Sequence, residues 1–206
     1  MKPIESSKLK TISGVLYIGL GVSLCTTVVW IVLLLISLIK GTPVPSSEGL
    51  LVNVFMTNSN HFVNQMKDIY VSNINGQLVF FKPSIWINLF PGLYTIIEWG
   101  SISYVIYLML KIINSIIKGN PFDKLNANRL RIIAILFITV PVILQIASNI
   151  VVSNLITSIN IENVKLSAQP FTGELYISVF VGILLIALSE TLRIGTWIKE
   201  ENEFTI

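Results

Sequence analysis

The chain reads as an all-α membrane protein: a bundle of four transmembrane helices, N- and C-termini cytoplasmic, with a small extracytoplasmic β-containing cap from two outer loops. Three observations predict this. The 206 residues are 53% hydrophobic and only 12% charged, with a mean hydropathy of +0.77, whereas a soluble domain carries about 25% charged residues. Four stretches are apolar over the roughly 20 residues needed to cross a hydrocarbon core. The basic residues gather on the segments that four spans place on one side of a membrane. Disorder is excluded by the high hydrophobicity.

The first span covers about 13–39, and Val15–Ile39 within it is uncharged. It is too long for the h-region of a signal peptide, and KGTPVPSS after it offers no A-x-A pattern, so it reads as a retained helix. Cys25 is expected to pack there as a small apolar residue. Gly14, Gly19, Gly21 and Ser23 suit close helix packing, but no clean GxxxG repeat specifies a dimer.

Residues 40–90 form the first outer loop, polar and rich in Asn and Ser. Asn75-Gly76 within YVSNINGQLVFF predicts a type I′ hairpin turn between two strands. The second span covers about 91–117. Pro91-Gly92 is expected to mark its start and Gly119-Asn120-Pro121 its end, because the residue before proline resists helix. The third span covers about 130–152, with a kink predicted at Pro141. The second outer loop, 153–173, contains SINIENVKLSA, which alternates enough for a strand. The fourth span covers about 174–193, with Thr172 as its expected N-cap. The domain is single, 1–206.

Ten basic residues lie on the side of the termini and middle loop: Lys2, Lys8, Lys10, Lys111, Lys118, Lys124, Arg129, Arg131, Arg193 and Lys199. Four lie on the other side: Lys40, Lys67, Lys82 and Lys165. The positive-inside rule therefore puts both termini in the cytoplasm.

The inventory narrows the function. One cysteine and one histidine, Cys25 and His61, make neither an internal disulfide nor a thiolate zinc site. HExxH, GxSxG, GxxxxGK[ST] and GxGxxG are absent from the sequence. No catalytic, metal or cofactor residue is assigned, and the chain reads as a non-enzyme. The net charge of +3 and pI near 9.0 reflect basic inner loops, so no direct nucleic-acid binding is expected. His61 is read as a solvated loop residue, with acid sensing as the functional alternative.

The middle loop, KGNPFDKLNANRLR over 118–131, carries most of the remaining information. Pro121 stops the second helix, Asp123 N-caps the third, and Phe122 precedes that cap as an apolar staple. Arg129 and Arg131 then anchor at the interface. A well-made turn explains these residues; so does a docking surface for a cytoplasmic partner, or a lipid-headgroup site. In the closing stretch, Glu190 and Arg193 are spaced i,i+3 and can neutralise one another. Gly195 allows a local helix end. Glu98 reads as an interfacial glutamate beside Trp99, or as part of an ion relay.

Two motifs carry a resemblance. Gly119-x-Pro121-Phe122, then Asn126, then Arg129-Leu130-Arg131, resembles the loop signature of DUF2975, a bacterial membrane family of unknown function. The run from Ala187 through Glu190, Arg193, Gly195 and Ile198 into the acidic tail ending Thr205-Ile206 resembles that family's closing motif. The resemblance takes in the spacing of all four spans, and only the long first outer loop does not align. It implies no enzyme activity. It implies a regulatory partner, since members are similar to products encoded beside small helix-turn-helix transcription regulators.

The expected function is thus a non-enzymatic regulatory or sensor-like protein of the bacterial plasma membrane. Its partners are the lipid bilayer and a small cytoplasmic DNA-binding regulator, with room for a homo-oligomer. Pro121, Phe122, Asn126, Arg129, Arg131, Glu190, Arg193 and Gly195 form the expected partner-binding set. The alternative is a small transporter, channel or immunity-type protein built on Glu98, Pro141 and Gln145.

Overall fold

The computed structural model describes residues 3–40, 50–56, 74–78, 85–157, 164–168 and 173–203. Its elements run α1 (Pro3–Lys40), β1 (Leu50–Met56), β2 (Ile74–Leu78), α2 (Ile85–Ile117), α3 (Lys124–Ile156), β3 (Val164–Ala168) and α4 (Gly173–Glu203). Each of the four helices is long and apolar enough to cross a membrane. At most 17% of the most apolar stretch of any of them is buried inside the chain. Large side chains such as Ile18, Val22, Ile143, Ile177 and Phe180 are exposed, and an apolar surface this extensive needs hydrocarbon as its solvent.

The helices form a row instead of a closed bundle. α1 packs along α2, α3 packs along α4, and a thinner α2–α3 seam joins the two pairs. Among the described residues no seam of comparable extent joins α1 to α4. Without a hydrophobic force between helices in lipid, small residues and hydrogen bonds decide which faces meet. Gly19 faces Ile106, and the buried Ser103 hydroxyl donates to Ser23 Oγ across the α1–α2 seam at 3.0 Å. Near the end of that seam, Asn114 Nδ2 donates to Tyr17 Oη. Gly92 receives the Leu34 side chain, which would lie 2.6 Å from any added Cβ.

The serine pair supports a prediction. Ser23→Ala and Ser103→Ala together should show a coupling energy of about 0.6 kcal/mol, the average for interhelical bonds in membranes. A double-mutant cycle on unfolding in detergent measures it, and zero coupling would leave this seam to packing alone.

The three strands form an antiparallel sheet in the order β2-β1-β3. β1 comes from the α1–α2 connection and β3 from the α3–α4 connection, so the sheet ties the two helix pairs together at one end. The expected hairpin turn at Asn75-Gly76 is not formed. Asn75 pairs with Asn53 and Gly76 with Val52 inside the β1–β2 ladder. Pairing with a strand some 20 residues upstream overrides the local turn preference.

Four further expectations are corrected. α2 begins at Ile85, and Pro91 lies inside it. The missing N–H costs the bond to the Ile87 carbonyl in the first turns of the helix, a loss that membrane helices tolerate; Thr95 Oγ1 separately donates to the Pro91 carbonyl. α4 continues through Gly195 to Glu203, so that glycine does not end the helix. Cys25 is exposed on α1 instead of packed, because α2 covers the opposite side, where Ser23 is buried. Pro141 lies inside α3, as expected, and the helix runs on from Lys124 to Ile156. Gly14 and Gly21 face open space. Thr172 and His61 lie outside the described residues.

Candidate functional site

The start of α1, the α2–α3 loop and the end of α4 lie at the end of the row away from the sheet, and here the loop residues converge. α2 closes with a glycine cap. Gly119 adopts φ +85°, its N–H donates to the Ile116 carbonyl, and the Asn120 N–H donates to the Ser115 carbonyl. These are the paired bonds of a Schellman ending, which needs a left-handed residue and so favours glycine. Ser115 Oγ also donates to the Asn120 carbonyl at 2.9 Å. Asp123 then caps α3: its Oδ1 accepts from the Leu125 N–H at 2.9 Å. That cap is as expected from sequence.

Asn126 is the centre of the loop. It is 1% exposed, and its Nδ2 donates to the Asn120 and Pro121 carbonyls at 3.2 and 3.3 Å. Its Oδ1 accepts from Arg129 Nη1 at 2.8 Å. The same nitrogen reaches the Lys111 carbonyl on α2 at 3.5 Å. Arg129 is therefore engaged within the chain, binding the start of α3 to the end of α2. Arg131, two residues on, is exposed.

α4 closes the arrangement. The buried Ser189 hydroxyl donates to the Ala127 carbonyl at 3.1 Å. The Phe122 ring lies against Gly195, where an added Cβ would approach it to 3.1 Å. Close approach of this ring, not helix termination, is what the glycine permits. Glu190 and Arg193 form the expected i,i+3 ion pair at 2.7 Å, largely in the open. The structure thus joins Phe122, Asn126 and Arg129 with Ser189 and Gly195 in one junction. Arg131, Arg193 and Glu190 stand on its surface. Ser189 was missed from sequence, because a lone serine in an apolar helix looks like any other small residue.

The residues singled out for the alternative reading also meet. A cleft of about 320 Å³ opens among α2, α3 and α4. Glu98, Pro141 and Gln145 all line it, and Glu174 in the first turn of α4 joins them. Most of the remaining lining is apolar. Gln145 Nε2 donates to Asn149 Oδ1 at 3.2 Å. Among the described residues no His, Cys, Asp and Glu group is placed to hold a metal ion.

A family model described as Protein of unknown function (DUF2975) matches residues 83–206. The match takes in α2, α3, β3 and α4, so it covers both the loop motif and the closing motif. It leaves out α1, β1 and β2, and is narrower than the whole-chain resemblance read from the spans. No curated protein and no solved structure matches the chain.

Proposed function

Because the chain belongs to the DUF2975 family, whose function is unknown, we propose that it is a non-enzymatic regulatory protein of the bacterial plasma membrane. Its loop 118–131 and the end of α4 hold a small cytoplasmic DNA-binding regulator. The observation that carries this is the junction itself. Asn126, Arg129, Ser189 and Gly195 fix a loop and a helix end into one preformed surface, and preformed surfaces bind at lower ordering cost. On that surface Arg131 is exposed, Lys124 lies seven residues before it, and Arg193 and Lys199 are exposed on the last part of α4. The ten-to-four excess of basic residues supports placing this end in the cytoplasm, and the β-sheet end then forms an outer cap.

The test is recovery of the intact protein from gently solubilised membranes, with mass spectrometry of what accompanies it. A near-stoichiometric small DNA-binding protein is expected. Arg131→Gln should reduce its recovery several-fold while expression and thermal stability stay unchanged, since that side chain makes no contact on which the junction depends. Recovery of the chain alone across several detergents overturns the proposal.

One observation favours the second reading, a small transporter, channel or immunity-type protein. Glu98, Pro141 and Gln145 come from two helices and meet at one cleft, the kind of polar convergence a pathway requires. Glu98→Gln should impair such a function and leave partner recovery intact.

A further inference from the structure

The geometry points to the α2–α3–α4 cleft as a binding site for a small amphiphilic organic cation, an ammonium head carrying a short apolar body. This inference is independent of the regulatory proposal, because the cleft shares no residue with the junction. Three features carry it.

The first is size and form. A volume of about 320 Å³ lies at the lower end of the range for small-molecule sites, which are mostly apolar with a few placed polar groups. Val105, Ile106, Leu136 and Val140 supply the apolar lining, while Ser101 and Ser178 add hydroxyls.

The second is charge. Glu98 and Glu174 are the acidic residues in the lining, and among the described residues no basic one lines the cleft. Glu174 sits in the first turn of α4, where a carboxylate also complements the helix dipole. Glu98 has no such position. It lies on α2 within the segment long and apolar enough to cross a membrane, Leu89–Ile117. An acid within a spanning helix is a functional candidate by default.

The third is the backbone. Pro141 has no N–H to give the Phe137 carbonyl one turn back, and Phe137 and Pro141 both line the cleft. Two carboxyl-bearing residues in an otherwise mostly apolar lining match a cationic head and an apolar body. It does not match an anion or a neutral polar solute.

The experiment uses the full chain in phosphatidylcholine nanodiscs, with equilibrium dialysis of hexyltrimethylammonium. Hexanol and hexyl sulfate serve as the neutral and anionic probes. Saturable, one-to-one binding of the cation is expected, at least tenfold tighter than either control. Glu98→Gln and Glu174→Gln should each weaken it several-fold. Ser178→Phe, which fills the cleft and keeps both carboxyls, should abolish it. Equal binding of hexanol, or cation binding unchanged in all three variants, overturns the assignment. So does displacement of the probe by phosphatidylethanolamine added to the discs, which would make the cleft a lipid site.

Discussion

Gly182→Ala should be the most damaging single-methyl change in the helices, lowering stability by about 1–3 kcal/mol as an overpacking effect. Gly182 is buried on α4 against α3. A Cβ there would stand 2.4 Å from Ile138 Cγ1 and 2.9 Å from the Ala134 carbonyl oxygen. A side chain can turn away, but a backbone oxygen in mid-helix cannot. The two helices must therefore separate along a seam where Ala134 is fully buried. Because small residues are what permit close packing in lipid, the loss is felt along the α3–α4 pair. Ile138→Ala in the same chain should restore part of the stability, and only part, since the Ala134 oxygen remains. Thermal denaturation of the parent and the two variants in one detergent checks this. A Gly182→Ala protein as stable as the parent would show that α4 is held elsewhere.

Asn126→Ala should come next, and its effect reaches function. The substitution removes both donors to the Asn120 and Pro121 carbonyls and the acceptor for Arg129. Leaving buried groups unsatisfied costs about 1–3 kcal/mol. Asn126→Asp is the informative companion. It keeps an acceptor for Arg129, as a carboxylate, yet loses the two amide donations. If the loop depends on those donations, Asn126→Asp should still loosen 118–123 and reduce partner recovery. If the Arg129 bond dominates, it should behave like the parent. Protease sensitivity of the loop separates the two outcomes. Arg129→Gln should resemble Asn126→Ala in loosening the loop, whereas Arg131→Gln should not, because only Arg129 is tied to Asn126 and the Lys111 carbonyl.

These contrasts show which features were legible beforehand. The Asp123 cap and the Glu190–Arg193 pair were read correctly because both partners lie within three residues on one chain segment. Local geometry of that kind follows from sequence spacing alone. The four spans were legible from composition, since crossing hydrocarbon demands a length and an apolarity that few other segments meet. Gly195 was singled out for the wrong reason. Its role depends on Phe122, which comes from another helix end more than 70 residues away.

Asn75-Gly76 makes the same point from the strands. Its turn propensity is local, but the partner that captured it is β1, in the α1–α2 connection, and β3 completes the sheet from the far side of two helices. Composition and short-range spacing determined that this is a four-helix membrane chain, where each helix approximately lies, and how its α2–α3 turn is capped. Tertiary structure decided the rest: an open row in place of a closed bundle, Arg129 turned inward while Arg131 stays exposed, and Glu98, Pro141, Gln145 and Glu174 brought to one cleft. The reason is physical. In a membrane nearly every helix face is equally apolar, so pattern does not say which faces meet. A few glycines, serines and one buried asparagine make that choice, through contacts between residues far apart in the chain.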